Sequence, residues 1–173
     1  MSSLCIEESG MTFGPFLQEE CFPIEKSNVY KSIRQDVKMA EFLLFKGGNG
    51  NTVWVVEAKS SAPQPKTQPN FQNFLSEILE KWVNAFSLTW ASRLGRHQQA
   101  ESELPDRFKS LDLSKAEVRC VLVIKGFPKQ WLPPLQETLG KNLRPFAKTW
   151  RFGSTPVAVL NEADAIKHGL IRT

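Results

Sequence analysis

The period of the apolar positions changes along the chain, and each period predicts an element. Residues 40–46 (AEFLLFK) and 52–59 (TVWVVEAK) are apolar, aromatic and β-branched runs, the pattern of strands covered on both faces. Between them, GGNGN at 47–51 supplies positions tolerant of positive φ, so the two runs read as a β-hairpin. Pro63, Pro65 and Pro69 then break the chain. Phe71, Phe74, Leu75, Ile78, Leu79, Trp82, Phe86 and Trp90 follow at three- and four-residue steps, predicting a long helix over 71–94 with Asn70 as its cap. Residues 118–124 (VRCVLVI) predict a short buried strand stopped by Gly126. Residues 130–142 predict a helix with Pro133 and Pro134 in its first turn, where a missing amide costs nothing. Residues 156–160 (PVAVL) predict a last strand, after which Asn161 to Asp164 cap a helical turn ending near Gly169.

The remaining segments carry weaker patterns. Residues 1–10 are polar and expected to fray, residues 20–25 read as a short extended piece, and residues 95–116 as a polar surface loop. Residues 27–34 suit a short helix capped by Ser27 or Asn28. The order helix, hairpin, long helix, strand, helix, strand, helix implies an α/β fold, a mixed central sheet flanked by helices. At 173 residues the chain has the length of one domain spanning 1–173, with a sizeable core.

Composition narrows the classes. No apolar run approaches the roughly 20 residues of a membrane-spanning helix, and the segment MSSLCIEESG lacks the pattern of a signal peptide; no membrane partner and a cytoplasmic address are expected. Cys5, Cys21 and Cys120 are too few and too scattered for a disulfide framework, and with only His97 and His168 beside them they make no zinc site. Cys120, inside an apolar run, reads as a small buried hydrophobe. A net charge of +4 permits a polyanionic partner without requiring one. Lys26, Lys31, Arg34 and Lys38 form a basic stretch suited to phosphate contact or simply to solvent. Trp54, Trp82 and Phe86 read as packing, whereas Trp131 and Trp150 stand near prolines or charges, where either is free to touch a partner.

The candidate chemistry lies at the end of the second hairpin strand. Glu57 and Lys59 share one face because strand side chains alternate, and ligand sites of open α/β sheets gather at such strand ends. Glu41 stands near the start of the partner strand, which antiparallel pairing brings beside Glu57. Two carboxylates so placed repel each other unless a cation lies between them. A hard divalent ion such as Mg²⁺ suits oxygen ligands of this kind, and Lys59 can stabilise charge forming on a phosphate. Glu57-Ala58-Lys59 is the one E-x-K in the chain; Asp36-Val37-Lys38, a D-x-K, precedes its strand rather than ending it.

These residues, Ala40-Glu41-Phe42-Leu43-Leu44-Phe45, a Gly-rich turn and Val53-Trp54-Val55-Val56-Glu57-Ala58-Lys59-Ser60-Ser61, resemble the paired acidic motifs of the PD-(D/E)xK, or restriction-endonuclease-like, superfamily. The resemblance covers roughly residues 24–126. It implies an αβββαβ core, Mg²⁺ (with Mn²⁺ as substitute), and cleavage of DNA. It further implies that Glu41, Glu57 and Ala58 bind the metal, that Lys59 assists the nucleophile, and that Glu25, or failing it Glu20, is an auxiliary acid. The first acidic position of the group is usually Asp, often after Pro; here it is Glu41 after Ala40. Two functions follow as expectations: a DNA endonuclease, or a non-catalytic subunit of the same fold that binds nucleic acid or protein. With no separate sequence-reading module, specificity is expected from loops, a homodimer mate or a larger protein partner.

Overall fold

The computed structural model describes residues 2–46 and 51–172. The chain opens with a hairpin of β1 (Ser3–Glu8) and β2 (Met11–Leu17), which form their own two-stranded sheet. Then come β3 (Cys21–Phe22), a 3₁₀ turn (Ile24–Lys26), α1 (Asn28–Lys31), β4 (Phe42–Lys46) and β5 (Thr52–Lys59). The second half contains α2 (Asn70–Arg93), α3 (Ala100–Glu103), α4 (Asp106–Lys109), β6 (Glu117–Ile124), a 3₁₀ turn (Lys129–Trp131), α5 (Leu132–Trp150), β7 (Val157–Asn161) and α6 (Glu162–Lys167).

The five-stranded sheet runs β3-β4-β5-β6-β7, antiparallel from β3 to β5 and parallel from β5 to β7. Each parallel pair is joined through a long helix, α2 or α5, as a parallel connection requires. This is the mixed, helix-flanked sheet the hydrophobic pattern implies. The third strand of the antiparallel part, β3, precedes α1 in the chain, so two strands rather than three lie between α1 and α2.

Both sheet faces are covered, which explains the unbroken apolar runs. On one face Leu43, Phe45, Val53, Val55 and Leu122 pack against Leu75, Ile78, Trp82 and Phe86 of α2 and Leu135 and Leu139 of α5. On the other, Phe42, Leu44, Trp54, Val56 and Val121 meet Ile6, Phe13 and Phe16 of the hairpin and Ala165 of α6. Among the described residues no helix is long and apolar enough to cross a membrane.

Several boundaries differ from the sequence expectation. Residues 3–8 are not frayed: Ile6 is buried, and the β1–β2 pairing forms one whole layer. Residues 95–116 are not a bare surface loop, because Ala100 of α3, Phe108 of α4 and Leu104 between them are buried. Asn70 is the first residue of α2 rather than its cap, which is Pro69. Helix α5 runs eight residues past 142, through Pro145. Proline there deprives only the carbonyl of Lys141 of its helical partner, and both Lys141 and Pro145 are exposed. The expected turn at 47–50 lies outside the described residues; the flanking register, Lys46 opposite Thr52, is that of a hairpin.

The caps at Ser27 and Asn161 are as expected. Ser27 Oγ accepts from the Tyr30 amide at 3.2 Å and donates to the Ile24 carbonyl at 2.6 Å; Asn161 Oδ1 accepts from Asp164 at 3.0 Å. Ser27→Ala is expected to cost about 1 kcal/mol, read as a fall of roughly 2–4 °C in the melting temperature.

Candidate active site

The pleat of β5 sends Val53, Val55, Glu57 and Lys59 toward α2, so the two charged residues continue an otherwise apolar face. Glu41 lies one residue before β4 and extends its ladder, its amide donating to the Val56 carbonyl at 3.0 Å. That places Glu41 across from Glu57. Glu25, in the 3₁₀ turn, donates its amide to the Glu41 carbonyl at 3.4 Å. Glu25, Glu41, Glu57 and Lys59 therefore come together. Glu20 does not join them; it pairs with Arg107 at 3.5 Å. Ala58 turns its side chain to the opposite, hairpin-covered face, and its carbonyl accepts from Ser9 Oγ at 3.1 Å.

Three further residues complete the cluster. Glu8, the last residue of β1, reaches in from the hairpin layer: one carboxylate oxygen each from Glu8, Glu25 and Glu41 lie within 4.8 Å of one another. From α2, Lys81 donates to Glu57 Oε1 at 2.8 Å, and Glu77 accepts from Lys59 at 2.5 Å. Lys59 is 3.6 Å from Glu57 Oε1. Five carboxylates thus face two ammonium groups.

Glu57 is 0% exposed, and its second oxygen, Oε2, is buried with no hydrogen-bond partner. An uncompensated buried oxygen of this kind is costly in a folded protein. Burial pushes the Glu57 carboxyl up to about 7, against the pull of Lys81 and Lys59 toward the charged form. Glu41 is raised to about 9, first by burial, then by the charge of Glu57 and by a hydrogen bond with Glu25. Burial disfavours the Lys81 ammonium, but Glu57, Glu41 and Glu77 outweigh it and raise its pKa. Glu77 is lowered, chiefly by its hydrogen bond with Lys59.

Both carboxyls are thus pushed toward the neutral acid, first by burial and then by the neighbouring carboxylates. The residues fit a hard divalent ion: every donor is oxygen, those of Glu8, Glu25 and Glu41 converge, and Glu57, across from Glu41, has an oxygen, Oε2, with no partner. A soft-metal site would need thiolate or imidazole, and the group contains neither. If a divalent ion is held there, Glu8→Gln is expected to weaken Mn²⁺ binding by about tenfold with little change in melting temperature, as titration calorimetry would measure.

The basic residues Lys26, Lys31, Arg34 and Lys38 are all exposed and lie on the segment between Glu25 and Glu41. Lys38 leans toward Glu80 of α2 at 3.6 Å. Comparison with family models, with curated proteins and with solved structures finds no match for this chain.

Proposed function

We propose that this chain is a metal-dependent nuclease that hydrolyses phosphodiester bonds of DNA, on a restriction-endonuclease-like core. The observation that carries the reading is Glu57 Oε2, buried and partnerless on the residue across from Glu41, whose carboxylate converges with those of Glu8 and Glu25. Glu41 and Glu57 would be the principal residues holding the metal, with Glu25 and Glu8 beside them. Bound there, Mg²⁺ or Mn²⁺ supplies Lewis acidity at a phosphate oxygen.

The chain's own groups have distinct tasks. Lys59, at the strand end, sets an ammonium beside the reacting phosphate and stabilises the charge that develops on it. Lys81 fixes the rotamer of Glu57 through Oε1, leaving Oε2 for the ion. The exposed cations between Glu25 and Glu41 suit the backbone on either side of the cut. The antiparallel β3-β4-β5 unit joined through α2 to parallel β6 supports the core assignment, with β3 entering the sheet from before α1.

The test is plasmid nicking with Mg²⁺ or Mn²⁺ against a chelator control. Cleavage is expected with either ion, and Lys59→Ala is expected to slow it by about a hundredfold, as for loss of one transition-state donor. Absence of cleavage with both ions sinks the proposal.

One observation favours a second reading, a non-catalytic subunit of the same fold that binds nucleic acid or a protein partner. Lys81 already sits on Glu57, and Glu77 already holds Lys59, so the network is in part self-neutralised. In that case DNA binding would persist in Glu57→Ala and Lys59→Ala, with no cleavage under either ion.

A further inference from the structure

The strand ends that carry Glu57 and Lys59 also launch the walls of an open groove. The amide of Lys125 donates to the carbonyl of Lys59 at 2.9 Å, so the segments following β5 and β6 leave the sheet side by side. One runs through Pro63, Gln64, Pro65 and Lys66, the other through Phe127 and Trp131; with Phe71 at the start of α2 and Leu135 at the start of α5 they enclose about 530 Å³. That is within the size range of small-molecule sites.

Its lining combines two features that seldom coincide by packing alone. The floor is apolar and aromatic: Trp131 is 42% exposed, braced edge-to-face by Phe127 at 5.7 Å between ring centroids. The rim carries positive charge and none of the lining residues is acidic; Lys66 lines it, Lys129 is exposed beside Trp131, and α2 and α5 both begin there. Neither helix start has a side-chain cap, so their positive ends add to the same field. Gln64 offers an amide that can both donate and accept at the edge of a bound ring. Duplex DNA has no base face to give such a floor. An unpaired strand has both the ring to stack and the phosphate to meet the rim.

We propose that this groove stacks an unpaired base of single-stranded DNA on Trp131 and so guides a single-stranded stretch toward Glu57 and Lys59. The inference rests on the nuclease reading for its purpose, though its binding test is independent of that reading. A labelled oligothymidine is titrated in the presence of a chelator, with anisotropy as the readout. Trp131→Ala is expected to weaken binding roughly tenfold, in the range for loss of one stacked base. Trp131→Phe retains most of the affinity, and Trp150→Ala, which removes a 50% exposed tryptophan from the opposite end of α5, leaves it unchanged. Matched melting temperatures confirm that each variant is folded.

Oligothymidine that fails to bind the wild type, binding indifferent to Trp131→Ala, or displacement by a duplex as effective as by the single strand would each overturn the groove. Binding lost in Trp131→Ala without any divalent-dependent cleavage by the wild type would leave the groove standing and remove the nuclease. Cleavage by the wild type with Trp131 irrelevant to binding would do the reverse.

Discussion

On the nuclease reading, Glu57→Gln is expected to abolish divalent-dependent cleavage, by a hundredfold or more, in a protein that melts within a few degrees of the wild type. The two halves of this result have separate causes. The fold tolerates the change because glutamine has the same shape, and its carbonyl oxygen can still accept from Lys81, replacing the bond at 2.8 Å. Lys81 also keeps the favourable field of Glu41 and Glu77. Activity does not survive, because the amide puts two N–H donors where Glu57 Oε2 now stands free, and an amide nitrogen cannot ligate a hard cation. Calorimetry with Mn²⁺ should show the loss directly. Wild-type rates in Glu57→Gln would place the chemistry elsewhere, and a collapsed melting temperature would mean that the Glu57 charge is structural.

The centre of this site is legible in the sequence because it follows from strand geometry. Glu57 and Lys59 share a face by the two-residue period, and Glu41 meets Glu57 because antiparallel strands oppose start to end; the register, Phe42 opposite Val56, is the expected one. The periphery is not legible, for a different reason in each case. Glu8 reaches the cluster only because a separate hairpin covers the sheet, and residues 3–8 advertise this with one well-buried side chain, Ile6, among polar neighbours. Glu77 and Lys81 stand four apart on α2 and read as an ordinary surface pair. In the fold they turn instead to β5, each to a separate partner, because Ile78 and Trp82 lay the helix flat on that strand face.

Residues 95–116 are a different matter. Ala100, Leu104, Phe108 and Leu111 are buried at steps of four, four and three. They belong to two one-turn helices and the residues between and after them, so no single period marks them among the charged residues. The end of α5 was hidden by Pro145, which reads as a stop but sits at an exposed position of the helix.

The burial that raises the Glu57 and Glu41 carboxyls makes the metal-free protein sensitive to alkali. Glu57 has a folded pKa near 7 against an ordinary 4.5, so the folded state holds its proton more tightly than the unfolded chain. The stability this contributes is fully present below pH 4.5 and is lost as pH rises through 7. Glu41, raised to about 9, carries the decline further into alkali. The Glu57 shift alone corresponds to about 3 kcal/mol, or roughly 6–12 °C for a chain of this size. Thermal melts in a chelator should therefore fall between about pH 5 and about pH 9.

A divalent ion held at the proposed site would reverse the sign, since it would bind the deprotonated carboxylates and its affinity would rise as protons cease to compete. Saturating Mn²⁺, at about a hundred times its dissociation constant, adds roughly 2.7 kcal/mol, so the melting temperature with Mn²⁺ should stand furthest above the chelated one at the alkaline end. In Glu57→Gln the apo decline should shrink to the part owed to Glu41, and the Mn²⁺ increment should largely vanish. A chelated protein whose melting temperature is flat from mildly acid to alkaline pH would show that the buried glutamates are already balanced by Lys59 and Lys81. A cation would then have no charge deficit to fill.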